Sequence, residues 1–408
     1  MLDPRTRRSL RLTDNMILTQ CAACAAPLPH LAKQCGRCKT RYCGPACQEQ
    51  HWKEGGHDKL CKKIKRGGGA EQYHADKKCE EAVAVAVEAC ADDTKGQTCY
   101  ICTEAVHWKT KEGRVRGCSC RGTAGFAHVS CLAEQPKILV AEAEENNLDT
   151  FDAGWVRWHT CSLCEQNYHG VVRCALGWAC WKTYLGRPEE HWTRSSAMTQ
   201  LGHGLDEVNL HEERLGVLEA ELSICRRLGA SEDAILCIQQ NLAACYFELE
   251  READGLEIER QIYQRRLALG GIDDDKTLLA AANVAISLVA LEQWAEAKAL
   301  VRKVIPAARR ALGRDHEYTM KLDSALTVAL YQDDDASLGE LRQAVSIAEV
   351  ASRRARRVYG NLHPLAETLA EDLDHARETL ARRTGGGDVR SIREAVETMT
   401  SGGARTVQ

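Results

Sequence analysis

Charge of one sign is nearly absent from this chain. Its 408 residues carry 54 Lys and Arg against 58 Asp and Glu, a formal net charge of −4. Such a balance gives no field for steering nucleic acid or an anionic membrane, and neither is expected as a partner. One basic run, Lys62, Lys63, Lys65 and Arg66, is short enough to read as a solvated linker. Long apolar runs are missing too. Stretches such as VAISLVAL are broken by polar residues, and none reaches the roughly 18 residues a membrane span needs. The opening residues, MLDPRTRRSLRLTDN, lack the apolar core of a signal peptide, so the chain is expected inside the cell, in cytoplasm or nucleus. Residues 1–16 are expected to be disordered. Catalytic patterns are also missing. The glycine clusters at 67–69 and 385–387 lack the strand-then-helix setting of a phosphate loop. No Ser-His-Asp arrangement is suggested, and no residue is assigned a catalytic role.

Cysteine, by contrast, is plentiful. Of 21 cysteines, 14 fall in two pair-rich blocks. Disulfide scaffolds are short secreted chains with cysteine throughout, so this clustering points to metal. The first block reads Cys21-x2-Cys24-x10-Cys35-x2-Cys38-x4-Cys43-x3-Cys47-x9-His57-x3-Cys61. Eight ligands suit two tetrahedral zinc ions. A two-residue gap lets both thiolates reach one ion, and a three-residue gap suits one face of a helical turn. His51 rivals His57, but His57 keeps the i, i+4 relation to Cys61. Such a block has too little core to fold alone, so zinc must supply the folding energy. With just enough ligands to close both sites, the zinc is structural rather than catalytic.

This block, with its Tyr42-Cys43-x3-Cys47-Gln48 motif and the pair His51-Trp52, resembles the MYND zinc finger. The resemblance implies a domain over 17–62 with interleaved ligands: Cys21, Cys24, Cys43 and Cys47 on one zinc, Cys35, Cys38, His57 and Cys61 on the other. It also implies a shallow groove for proline-rich peptides, with Gln48 holding the peptide backbone and Trp52 offering a flat face to a proline ring. Some MYND proteins are lysine methyltransferases. No second half of such a catalytic domain follows here, and none is expected.

KKIKRGGGAEQ, residues 62–72, reads as a flexible linker, and an Ala- and Glu-rich helix is expected after it within 63–95. Cys79 and Cys90 on that helix have no close cysteine partners and read as ordinary helix residues. The second block is Cys99-x2-Cys102-x15-Cys118-x1-Cys120-x7-His128-x2-Cys131-x29-Cys161-x2-Cys164. Loops between the pairs lengthen cheaply, while the pair spacing sets ligand geometry. This order, with Phe126 and His128 in GCSCRGTAGFAHVSCL, resembles the RING-CH zinc finger; a PHD finger has a similar ligand count but a longer gap between its third and fourth ligands. The RING-CH resemblance implies Cys99, Cys102, His128 and Cys131 on one zinc and Cys118, Cys120, Cys161 and Cys164 on a second, four ions in all. It implies a ubiquitin ligase that orients a loaded conjugating enzyme on an apolar surface. The matching surface residues are Ile101, Leu132 and Leu163. The family's tryptophan is absent from AEQPKILV, and Trp158 is the candidate to take its place. Residues after Cys164, EQNYHGVVRCALGWACWKTYLGRP, are expected to form an amphipathic helix packed on the finger, closing a domain over 96–188. His169, Cys174 and Cys180 fall one ligand short of a third site unless His159 or His191 joins them.

From about 194 to 382 cysteine thins and Ala, Leu, Glu and Arg dominate. Gly229, Gly270, Gly313 and Gly360 recur at intervals of 41, 43 and 47. That periodicity predicts repeated pairs of antiparallel helices, each turned by a glycine with positive φ and stacked into a superhelix. Asp or His after the glycine, as at His316 and His363, caps the next helix. Cys225, Cys237 and Cys245 are expected to be buried. LEQWAEAKALVRKVIPAARRALG, residues 291–313, resembles the longer, kinesin-light-chain-like tetratricopeptide repeat. The combination, through RGTAGFAHVSCL and YHGVVRCALGWACWKTYLG, resembles algal proteins that join a RING-CH finger to such repeats, over about 99–382. Asn241, Asn283 and Lys321 are candidate groove residues. A weak helix and a disordered tail are expected over 383–408.

The predicted fold is therefore mixed: two small cross-braced zinc-binding domains, then an all-α tetratricopeptide-type superhelical repeat domain. The predicted function is that of a zinc-binding adaptor for proteins or proline-rich peptides. The alternative is a RING-CH ubiquitin ligase, with a conjugating enzyme as partner.

Overall fold

A computed structural model describes residues 21–24, 26, 28, 32–146, 154–361 and 363–385. The disorder expected over 1–16 and nearly all of the final helix and tail lie outside these residues. The chain divides into two compact units between Cys245 and Tyr246. Fourteen α-helices and one two-stranded hairpin make up the regular structure among the described residues. A small cysteine-rich N-terminal region is followed by an all-helical, tetratricopeptide-like repeat region. No helix among the described residues is long and apolar enough to cross a membrane.

The first unit begins with the hairpin β1 (Lys33–Gln34) and β2 (Arg41–Tyr42), paired antiparallel. Two short helices follow, α1 (Pro45–Lys53) and α2 (His57–Arg66). Tyr42, Ile64 and Ala70 close a small core around four of the cysteines. The stretch read as a flexible linker is not loose. Helix α2 runs through it to Arg66, and α3 (Ala70–Ala89) starts after only three glycines. The Ala70 amide donates to the Cys38 carbonyl at 2.9 Å and the Gly69 amide to that of Ile64 at 3.1 Å, tying the turn to the finger. Apolar Ile64 inside the basic run makes this possible, because it gives α2 a buried face.

Helix α3 packs against α5 (Gly170–Tyr184), as does α4 (Val129–Glu145), and α5 packs on α6 (Trp192–Asp206). With neighbours on several sides, α5 is buried nearly all round rather than amphipathic: Val172 through Trp181 and Tyr184 are all buried. Two glycines set the α5–α6 approach. A Cβ on Gly177 would lie 2.9 Å from the Gln200 carbonyl oxygen, and one on Gly204 2.9 Å from that of Arg173. Trp155, Trp158, Trp178 and Trp181 share this core with Cys79, Met198 and Leu201. Helices α7 (His211–Leu228) and α8 (Glu232–Glu248) follow. Of the three cysteines expected inside, Cys245 is buried, Cys225 half-buried and Cys237 exposed.

In the second unit α9 (Glu252–Gly270), α10 (Asp275–Ala290), α11 (Trp294–Ala311), α12 (Glu317–Tyr331), α13 (Leu338–Tyr359) and α14 (Pro364–Arg383) pack each on the next. Short connections make successive helices antiparallel. Gly313 and Gly360 take positive φ as expected, but in the α9–α10 turn it is Gly271, at φ 76°, that does so; Gly270 is the last helical residue. The caps follow the sequence reading: His316 Nδ1 accepts from the Tyr318 amide at 3.2 Å and His363 Nδ1 from that of Leu365 at 3.2 Å. Ser337 and Glu340 form a reciprocal capping box at the start of α13.

Candidate metal centres

Four groups of side chains converge in the first unit, each with its ligand atoms within 4.8 Å of one another. They are Cys21, Cys24, Cys43 and Cys47; Cys35, Cys38, His57 and Cys61; Cys99, Cys102, His128 and Cys131; and Cys118, Cys120, Cys161 and Cys164. The chain thus brings together all sixteen side chains singled out in the sequence, in interleaved sets. No cysteine among the described residues is in a disulfide.

The distances carry the chemistry. Tetrahedral zinc with four thiolates puts sulfurs about 3.8 Å apart, and a thiolate and imidazole nitrogen about 3.6 Å apart. Here Cys24 and Cys43 Sγ are 3.7 Å apart, Cys35 and Cys61 Sγ 3.8 Å, and Cys120 and Cys161 Sγ 3.8 Å. His57 Nε2 is 3.4 Å from Cys38 Sγ, and His128 Nδ1 is 3.3 Å from Cys102 Sγ and 3.7 Å from Cys131 Sγ. Burial is the main influence pulling both imidazole pKa values down; for His128 it outweighs an opposing hydrogen bond to the Ala105 backbone. Neutral imidazole is the form a metal binds. His51 stays out of the set: its Nδ1 is 3.0 Å from the Tyr42 hydroxyl.

Local backbone geometry repeats at three of the Cys-x2-Cys pairs. The residue after the second cysteine takes a left-handed conformation: Lys39 at φ 67°, Thr103 at 62° and Glu165 at 55°. Its amide donates to the carbonyl of the first cysteine, at 3.0, 2.8 and 3.0 Å. Nothing in the residue types signals this, since none of the three is glycine, and left-handed backbone costs other residues about 1–2 kcal/mol. A fourth turn copies the form without a metal. Lys111, at φ 62°, donates to the His107 carbonyl at 3.0 Å, while His107 Nδ1 accepts from the Thr110 amide at 3.1 Å and lies 2.7 Å from Thr110 Oγ1. A His-x2-Thr spacing is the only sequence signal, and it was missed.

Burial separates the proposed docking residues. Trp52 is 41% exposed, its ring edge-on to His57 at 5.7 Å, and Gln48 beside it on α1 is half-buried. In the second block Ile101 and Leu163 are 41% and 51% exposed. Leu132 and Trp158 are not on that surface. Leu132 turns into the finger core with Val129 and Tyr168. Trp158 is fully buried, its ring near those of Trp155 and Tyr184, because the 3-10 turn Trp155–Trp158 packs inward on α4 and α5. Cys174 and Cys180 are buried on α5, outside every ligand group found among the described residues. Asn241, Asn283 and Lys321 are all half-buried on first helices, and Lys321 is paired with Glu317 at 2.6 Å.

The first two groups, with their hairpin and paired short helices, make one module. Residues 21–61 match the MYND finger family. The MYND finger accounts for the interleaved first and second groups and for the choice of His57. No curated protein matches the chain. Among solved structures, a Podosopora anserina putative kinesin light chain with nearly identical TPR-like repeats aligns at 18% identity and TM-score 0.41, over 53% of this chain and 100% of its own. A single-substitution form of the same protein aligns at 18% and 0.41, over 51% and 96%. BtubC (BKLC) from P. vanneervenii aligns at 16% and 0.37, over 69% of this chain and 94% of its own.

Proposed function

We propose that this protein is a zinc-stabilised adaptor that binds other proteins. The observation that carries this reading is the set of four Cys and Cys/His groups at tetrahedral spacing, each with four protein ligands and so no open position for chemistry. Four zinc ions would replace the hydrophobic core that these short segments cannot build, each worth about 10–16 kcal/mol of folding energy by comparison with small finger peptides. In the MYND finger Trp52 and Gln48 offer an exposed indole face and an amide to a proline-rich peptide. The helical repeats supply further binding surface, with Asn241, Asn283 and Lys321 as contact residues. A proline-rich peptide array tests the groove. Binding that survives Trp52→Ala and Gln48→Ala would remove it.

One observation favours a second reading, a RING-CH-type ubiquitin ligase. The Tyr100 hydroxyl lies 3.1 Å from Ser162 Oγ, which sets two knuckle tips side by side. Ile101 and Leu163, the next residues along, are both exposed apolar side chains of the kind a conjugating enzyme docks on. Autoubiquitination across a panel of conjugating enzymes decides between the readings. Activity lost in Ile101→Ala with zinc retained supports the ligase, and silence across the panel removes it.

A further inference from the structure

The first unit holds a cavity of 360 Å³ that neither the metal groups nor the Trp52 face uses. One wall is the MYND finger, with Lys39 and Arg41; the other is helical, with Arg194 on α6 and Arg227 on α7. Glu71 and Glu189 also line it, so four cationic side chains face two carboxylates. The chain as a whole is acidic, which makes this a local positive island. Arg227 pairs with Glu189, and Arg194 Nη2 lies 3.6 Å from Glu71 Oε2, a long pairing. Arg194 is held in place rather than mobile: its side chain is 12% exposed, it lies 5.6 Å from the Trp181 ring, and Nη1 donates to the Leu185 and Arg187 carbonyls at 2.5 and 3.2 Å.

The backbone decides what kind of anion fits. Gly68 and Gly69 line the cavity at the start of α3, where a compact phosphate is ordinarily cradled by free amides. Here the amides of Gly67, Gly68, Gly69 and Ala70 all donate to protein carbonyls, those of Lys63, Lys65, Ile64 and Cys38. The charged groups that face the cavity are side chains on its two walls, and apolar Ile224 and Trp181 line it too. We infer that this cleft binds an extended acidic peptide segment of a partner protein, its carboxylates meeting the finger wall and the helical wall together.

The test uses the full zinc-loaded chain and a short fluorescein-labelled Glu-rich peptide, with the same peptide carrying Gln for every Glu. Fluorescence polarisation is expected to show binding of the Glu peptide, about tenfold or more tighter than the Gln peptide, and weakening as salt rises. Lys39→Glu with Arg227→Glu is expected to weaken it by about tenfold or more with zinc content unchanged. Glu is tolerated at the left-handed position of Lys39, because Glu165 occupies the equivalent place after Cys164. Should the double variant lose zinc, Lys39→Gln with Arg227→Gln replaces it, with a loss of about threefold expected. The inference is overturned by failure of the wild type to bind, by equal binding of the Gln peptide, by charge variants that bind like wild type, or by full displacement with inorganic phosphate, which would assign a compact oxyanion instead.

Discussion

Cys35, Cys38, His57 and Cys61 are all buried, whereas Cys24 and Cys43 in the neighbouring group are exposed. A chelator reaches an exposed thiolate sooner than a buried one. Zinc release to a colorimetric chelator is therefore expected to be stepwise, with Cys43→Ser abolishing the fastest phase and lowering total zinc by one ion of four. Side-chain depth also separates the two apolar sets near the second pair of groups. Trp158→Ala removes a fully buried ring and is expected to cost about 3–5 kcal/mol in urea unfolding. Ile101→Ala is expected to change stability by less than about 0.5 kcal/mol, since its side chain stands in solvent. Both residues lie near metal-ligand cysteines in the sequence. Spacing could say which cysteines pair; it could not say which neighbouring apolar side chain points in or out.

Among the elements, a recurring device joins helices through a buried carboxylate and a hydroxyl. Thr199 on α6 donates to Glu221 on α7 at 2.9 Å, and Ser324 on α12 to Asp372 on α14 at 2.6 Å; Ser287 on α10 does the same to Glu259 on α9. Burial is the first cause raising all three carboxyls, Glu221 to about 7 from 4.5. A folded-state pKa above the unfolded one stabilises the protein below about pH 4.5 and loses that contribution as pH rises through 7. For Glu221 the whole effect is about 3 kcal/mol. Urea midpoints are expected to fall between about pH 5 and 7.5 in wild type, and to fall less in Glu221→Gln. Two caps were legible, because His316 and His363 carry their capping chemistry in the side chain; the Ser337 capping box was not singled out. The turn between α9 and α10 was not legible. Two adjacent glycines satisfy the same pattern, and only the path of the chain chose Gly271. The expected linker at 62–72 failed for a related reason: the basic residues that read as solvated lie on the outer face of α2, and Ile64 anchors the other face.

At the scale of the molecule, the two units rest on different physics. The second unit is built from packed helices with Ala-rich contacts such as Ala280, Ala281 and Ala285, and needs no metal. The finger segments of the first, residues 21–61 and 99–164, are expected to depend on their four ligand groups, while its helices share an apolar core of their own. Exhaustive chelation followed by limited proteolysis is expected to open cleavage within residues 21–61 and 99–164 and to spare a helical fragment beginning near Tyr246. Equal resistance of both units after zinc removal would show that the metal centres are dispensable for the fold. Salt bridges add register within the second unit: Arg310 pairs with Asp273 at 2.8 Å and Arg357 with Asp315 at 2.5 Å, each reaching back to the turn before the preceding helix. Exposed pairs of this kind contribute little stability. Their recurrence marks the repeat as clearly as the glycines do.

The sequence by itself determined the ligand pairs and the helical repeat, because both are local: metal geometry fixes the gap between paired cysteines, and helix pairs fix the interval between turns; the interleaving of the pairs came from the family resemblance. Tertiary structure alone decided that Trp158 and Leu132 serve the core, that α5 is buried all round, and that four basic side chains from a finger and two helices face one cleft. Those outcomes depend on which distant segments meet, and spacing along a chain does not encode direction in space.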